Sequence, residues 1–242
     1  MLFADRDEAG RELADDIARL CPPGLGEQRP LAPGPSGRGE QRPLAPGPPH
    51  SGEQRPLVLA LPRGGVPVAA RVATAIGAEL GVVVARKIGA PGRPEYGIGA
   101  IAEDGPPTFD VEALDALGLA ETDLAEAVAA ERAEIARRIE RYRGGRPLPP
   151  ITGRTVVLVD DGLATGVTAV AALRRLRLRA PARLILALPV CAPTARHLVD
   201  AEADQVVCLH MPPLFRAVGQ WYDDFEQLTD ADVDRLLHAA AH

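Results

Sequence analysis

At 242 residues and 25.5 kDa, the chain suits one large α/β domain, or two small ones at most. Hydrophobic residues make up 46% and charged residues 25%, which excludes a wholly disordered chain. The net charge of -6 disfavours a broad nucleic-acid-binding face. Aromatics are only 3%, so the core has to be built mainly from Ala, Val, Leu and Ile. No apolar run approaches the ~18 residues of a membrane span. The N-terminal MLFADRDEAG, acidic from residue 5, is not expected to act as a secretory signal. Cys21, Cys191 and Cys208 form no CxxC pair, which fits a reducing cytoplasm and argues against a disulfide framework or a zinc cluster.

In chain order, residues 5–20 are expected to form an amphipathic helix, with Leu13, Ile17 and Leu20 at helical spacing. The hexapeptide GEQRPL then begins at Gly26, again at Gly39 and again at Gly52. This Pro- and Gly-rich period of 13 residues matches no solenoid repeat. It reads as a tandem duplication inside an unstructured surface insert over 22–54. From Leu57 the pattern becomes regular. Residues 57–61 are an apolar strand ending in Pro62-Arg63-Gly64-Gly65, and 68–76 a helix with Pro67 in its first turn. Residues 82–85 read as a second buried strand leading into Arg86-Lys87, 88–97 as a Gly/Pro-rich loop, and 98–102 as a strand ending at Glu103-Asp104. Helices are expected at 111–118 and 122–142, with a break over 143–150. Strands at 156–159, 184–188 and 205–209 then alternate with helices at 165–178 and 192–201, and a last helix covers about 230–240. This alternation predicts a single domain over 1–242 of α/β class: a doubly wound, mainly parallel sheet with right-handed crossovers and helices on both faces. Ligands of such sheets bind beyond the carboxyl ends of the strands, where Arg63, Lys87 and Asp160-Asp161 fall. Lys87 is the sole lysine in a chain whose other basic residues are arginine, which hints at a position needing a compact ammonium.

The most informative segment is Val156-Val-Leu-Val-Asp160-Asp161-Gly162-Leu163-Ala164-Thr165-Gly166-Val167-Thr168. Four apolar residues make a buried strand, two carboxylates follow at its end, and a loop of small residues opens a helix. Such a loop leaves backbone N–H groups bare at a positive helix end, where they can hold a phosphate, and Thr165 and Thr168 add hydroxyl donors. Two carboxylates beside a phosphate site suit vicinal sugar hydroxyls or a magnesium ion. The combination reads as a ribose 5-phosphate cradle. A plain helix-capping Asp explains one of the two acids but not both together with the loop.

On these thirteen positions the chain resembles the type I phosphoribosyltransferases, whose signature is four apolar residues, two acidic residues and a small Thr-containing loop. Gly162 is a departure, since the family usually places an apolar residue or Ser there. The likeness runs over 57–228, and the chain is similar to a bacterial group of predicted phosphoribosyltransferases with a PRGG loop. The resemblance implies that Leu61-Pro62-Arg63-Gly64-Gly65 is the pyrophosphate loop and that Lys87, beside Arg86, is a pyrophosphate-contacting base. Residues 88–100 fall where the family has a mobile loop that closes over the substrate. Near the C-terminus, Phe215-Arg-Ala-Val-Gly219-Gln-Trp221-Tyr222-Asp223-Asp224-Phe225 is similar to the base-covering stretch of purine-salvage members, giving a small hood over 210–228. Asp223 is implied there as a magnesium ligand, and Phe215 or Trp221 as a stacking partner for a base. A small aromatic core under a loop explains that cluster about equally well.

The implied function is transfer of a 5-phosphoribosyl group from 5-phosphoribosyl 1-pyrophosphate (PRPP) to a nitrogenous base, with release of pyrophosphate. Asp160, Asp161 and Lys87 are then the catalytic candidates; Arg63, Gly64, Ala164, Thr165, Gly166, Val167 and Thr168 the phosphate binders. Mg2+ is the expected cofactor, nucleotide metabolism in the cytoplasm the setting, and a homodimer an admissible assembly. The alternative is a non-catalytic PRPP or nucleotide sensor that regulates a partner on the same fold.

Overall fold

The computed structural model describes residues 2–22 and 55–240, so residues 23–54 of the expected insert lie outside the described residues. In chain order the elements are α1 (Arg6–Leu20), β1 (Leu57–Ala60), α2 (Gly65–Ile76), β2 (Glu79–Val82), β3 (Ala85–Ala90), β4 (Arg93–Ala102), β5 (Thr108–Phe109) and α3 (Val111–Leu117). A 3-10 turn at Glu121–Leu124 leads into α4 (Ala125–Arg143). Then follow β6 (Thr155–Val159), α5 (Val167–Arg177), β7 (Arg183–Val190), α6 (Pro193–Asp200), β8 (Gln205–His210), a 3-10 turn at Val218–Trp221, and α7 (Asp230–Ala240).

The core sheet has five parallel strands in the order β2-β1-β6-β7-β8. The two-residue period of a strand sorts its side chains between the faces. Leu57, Leu59, Val156, Leu158, Leu184, Leu186 and Leu188 meet α5 and α6 on one face. Val58, Ala60, Val157, Val159, Ile185 and Ala187 meet α1 and α2 on the other. Helix α1 starts cleanly because the Asp5 carboxylate accepts the Glu8 N–H at 2.8 Å. The chain runs from β1 outward to β2 but from β6 outward to β8 in the opposite direction. The boundary between β1 and β6 is therefore the switch point of the sheet, where a crevice opens at the carboxyl ends.

Two stretches differ from the sequence expectation. The core strand expected at 82–85 is Glu79–Val82 instead, in register with β1, and Val83 and Val84 form a buried exit from the sheet. Glu103 fixes that exit: its N–H donates to the Val84 carbonyl at 3.0 Å and its Oε1 accepts the Val84 N–H at 3.1 Å. Residues 88–97 are not a loop but most of an antiparallel hairpin, β3–β4, extended by β5 into a second, three-stranded sheet. Arg86 and Lys87 consequently lie within β3 rather than at the end of a core strand. The glycines that suggest a loop are positions of close approach. A Cβ on Gly97 would come within 2.6 Å of the Lys87 side chain, and one on Gly99 within 2.5 Å of the Thr108 carbonyl. No helix among the described residues is long and apolar enough to cross a membrane.

Candidate functional site at the sheet switch point

The carboxyl ends of β1 and β6 bring together two segments almost a hundred residues apart. The β-ladder continues one step past the strand, with the Leu61 N–H donating to the Val159 carbonyl at 2.9 Å. The Pro62–Arg63 peptide bond is cis. Gly64 then lies directly against the acidic pair: a Cβ there would sit 1.9 Å from Asp161 Oδ2. A Cβ on Gly65 would sit 2.6 Å from the Val159 carbonyl and 2.9 Å from the Asp160 Cα. Both glycines are thus required by backbone packing of the PRGG loop onto the strand end. The Arg63 guanidinium lies 3.9 Å from Asp230 at the start of α7.

The two carboxyls have unequal surroundings. Asp160 Oδ1 accepts the Asp161 N–H at 2.9 Å. Burial, and next the charge of Asp161, push the Asp160 carboxyl well above the ordinary carboxylate range. Burial also raises Asp161, but the Arg6 guanidinium opposes it. Arg6 Nε donates to Asp161 Oδ2 at 2.8 Å, with only 11% and 13% of the two side chains exposed. Asp160 is thus the more strongly raised of the two, while Arg6 favours the ionised form of Asp161.

Behind the acids, Leu163 clamps the small-residue loop to the end of β7: its N–H donates to the Val190 carbonyl at 2.9 Å and its carbonyl accepts the Ala192 N–H at 2.8 Å. Ala164 and Thr165 are exposed, and Gly166, at φ 81°, turns the chain into α5. No side chain caps that helix. The N–H groups of Val167 and Thr168 accordingly lack intrahelical partners and face the crevice end of the fold. Gly162 also has a physical reason. A Cβ there would meet Val218 Cγ1 at 2.5 Å and Val190 Cγ1 at 3.1 Å, so Val218 and Val190 leave no room for a side chain.

Residues 210–228, the segment expected as a hood, and Phe3 bring aromatic rings together in tilted pairs. Phe215 and Trp221 lie 6.0 Å apart, Tyr222 and Phe225 5.1 Å, and Phe3 and Tyr222 5.4 Å. Tyr222 is buried and its hydroxyl donates to the Asp161 carbonyl at 2.6 Å, tying the hood to the acidic pair. Trp221 Nε1 is buried with no hydrogen-bond partner. Asp223 is exposed, and its N–H donates to the Phe3 carbonyl at 2.9 Å. Lys87 is also exposed, on β3, while its neighbour Arg86 is engaged by Glu131 of α4 at 2.7 Å. Residues Phe3 and Arg6 are absent from the sequence expectation of the site. Their signal is weak, because nothing in a short acidic helix start marks which arginine reaches across the chain.

The fold is that of an α/β protein whose sheet switch point brings the acidic pair and the PRGG loop together. The chain belongs to the phosphoribosyl transferase domain family, whose model matches residues 50–225. Two curated Mycobacterium tuberculosis proteins, from strains CDC 1551 / Oshkosh and H37Rv, are each 40% identical over 242 residues. Both bear the name "Putative phosphoribosyl transferase". The match covers 99% of this chain and 47% of theirs, so the chain spans about half the length of these relatives. The crystal structure of TT1426 from Thermus thermophilus superposes with a TM-score of 0.72 at 40% identity, covering 98% of each chain.

Proposed function

We propose that this chain transfers the 5-phosphoribosyl group of PRPP to a nitrogenous base and releases pyrophosphate. Family membership supports the reaction class. Within the molecule, the observation that carries the reading is the packing of the PRGG loop onto the acidic pair, with Gly64 against Asp161. A sugar held by the acids is thereby adjacent to a loop suited to its pyrophosphate. In this reading Asp160 and Asp161 accept the 2- and 3-hydroxyls, and their charge favours an oxocarbenium-like transition state. Ala164, Thr165, Gly166, Val167 and Thr168 anchor the 5-phosphate through the open N–H groups of α5 and two hydroxyls. Arg63, Gly64 and Lys87 take the pyrophosphate. Phe215 and Trp221 flank the base. Positioning and fixed charge then supply most of the acceleration.

No group of three or more His, Cys, Asp or Glu among the described residues is arranged as a metal cage. Magnesium typically binds through one or two carboxylates together with substrate phosphates, and an exposed carboxylate such as that of Asp223 is a donor of this kind. Asp223 is the side chain that would hold it, and the ion would neutralise charge on the departing pyrophosphate. Nucleotide metabolism in the cytoplasm is the setting that goes with this reading.

The test is pyrophosphate release from PRPP with a panel of purine and pyrimidine bases. Asp160→Asn combined with Asp161→Asn should fold and lose at least ~10²-fold in rate, the scale of removing preorganised charge stabilisation. Ribose 5-phosphate binding should weaken but persist. Parent-like turnover in that variant places the chemistry elsewhere, and unfolding makes the pair structural. PRPP binding without turnover on any base favours the sensor.

A further inference from the structure

We propose that Arg6 is a positioning residue of the ribose site, holding the Asp161 carboxylate in place for the sugar and coupling it to the hood. The inference rests on the ribosyl reading above and adds a residue that lies outside the family-matched stretch of 50–225.

Arg6 opens α1, yet its guanidinium faces the site. Nε donates to Asp161 Oδ2 at 2.8 Å, Nη1 donates to the Glu226 carbonyl at 3.0 Å, and Cζ lies 3.8 Å above the Phe225 ring. These contacts hold the planar group from the acidic pair on one side and the hood on the other. The approach is fixed by backbone. The N–H groups of Leu2 and Phe3 donate to the Trp221 carbonyl at 3.0 and 3.1 Å. Those of Asp223 and Asp224 donate to Phe3 and Ala4 at 2.9 and 2.8 Å. Asp161 Oδ2 therefore meets both the Arg6 Nε–H and Gly64, where no Cβ would fit. A carboxylate so confined has one orientation to offer a hydroxyl. A charged, forked donor is suited to this, whereas an isosteric neutral side chain would leave Asp161 free to rotate and to take up a proton. None of these Arg6 contacts reaches residues 164–168, so its influence should fall on the sugar and not on the phosphate.

That separation gives the experiment. The full chain is titrated calorimetrically with ribose 5-phosphate and, separately, with inorganic phosphate. Arg6→Gln should weaken ribose 5-phosphate by about tenfold or more, the scale of one hydrogen bond to a charged group, and leave inorganic phosphate within about twofold. Arg6→Lys, which keeps the charge but not the fork, should lose about two- to fivefold for ribose 5-phosphate only. Arg71→Gln breaks an ion pair from α2 to Asp7 on α1 away from the site, and should leave both ligands unchanged. Unchanged ribose 5-phosphate affinity in Arg6→Gln overturns the proposal, as does equal weakening of both ligands, which would mean a loosened fold. If Arg6→Gln does not fold, Arg6→Lys decides: loss confined to the ribose ligand supports the role, and no loss or a shared loss rejects it. A parent that binds neither ligand instead sinks the ribosyl reading and this proposal with it, whereas a parent that binds while the Arg6 variants match it sinks Arg6 alone.

Discussion

Asp160 and Asp161 are neighbours with different partners, and that difference has a measurable consequence for the ligand-free protein. Asp160 holds its proton more tightly in the fold than an exposed aspartate does. Its contribution to stability is therefore complete at acid pH and is lost as pH rises through the raised folded-state value. Asp160→Asn removes that loss. At pH 7.5 the variant should melt above the parent by roughly 2–4 °C, the shift that about 1 kcal/mol gives in a domain of this size. The gap should close towards pH 4, where the parent carboxyl is also neutral. Scanning calorimetry at the two pH values checks this, and a constant gap would assign the effect to something other than ionisation. Gly162 makes a steric claim of the same local kind. Gly162→Ala drives a methyl into Val218 and should cost about 1–3 kcal/mol, the usual penalty of overpacking beside stiff β-branched side chains. Adding Val218→Ala should recover most of that loss in urea denaturation, because the two changes share one space.

At the scale of elements, the hairpin β3–β4 is joined to the core by a buried ion pair. Arg143, the last residue of α4, meets Glu103, just beyond β4, at 3.1 Å, with 9% and 6% of their side chains exposed. Burial raises the Glu103 carboxyl despite the arginine. Arg143→Met should therefore cost about 3 kcal/mol at pH 7.5, the low end for breaking a buried pair. The cost should shrink near pH 5, as the abandoned carboxyl takes up a proton; equal deficits at both pH values would rule out an ionic origin. This junction also marks where the sequence stops being legible. Strands buried on both faces read as continuous apolar runs, so β1, β6 and β7 can be placed from residues 57–61, 156–159 and 184–188. Val82, Val83 and Val84 form the same kind of run, but the ladder with β1 ends at Val82 and the Val83 N–H, which donates to the Ala60 carbonyl at 3.0 Å; Val84 leaves the sheet, its backbone bound by Glu103. In the hairpin, glycine serves close packing and is indistinguishable in one sequence from glycine in a loop. Asp160, Asp161 and the PRGG loop are legible as separate motifs. Their contact is not, since it depends on β1 and β6 being neighbours.

Across the whole molecule, the first residues and the hood form one unit over the switch point. Phe3 is 1% exposed and packs between the Tyr222 ring at 5.4 Å and the His210 ring at 5.5 Å, while its backbone pairs with residues 221–223. This cluster is distinct from the two large clusters that flank the sheet, sharing with them only partly buried neighbours such as Leu209 and Phe215. Its buried contacts with the rest of the fold are Ala9 of α1 and Val190, the last residue of β7, so it can open without unfolding the body of the sheet. Phe3→Ala removes the ring at its centre, a change that typically costs about 3–5 kcal/mol when the ring is fully buried. The loss should be local. Hydrogen exchange followed by mass spectrometry should show peptides covering 2–5 and 218–226 losing protection together, by roughly a hundredfold if about 3 kcal/mol of opening free energy is lost. Peptides from β6 and β7 should exchange as in the parent. If those core strands lose protection as well, the N-terminal segment is part of the global folding unit. If only 2–5 loses protection and the hood does not, the two segments are not one unit, and the backbone pairing between Phe3 and Tyr222 does not carry the hood.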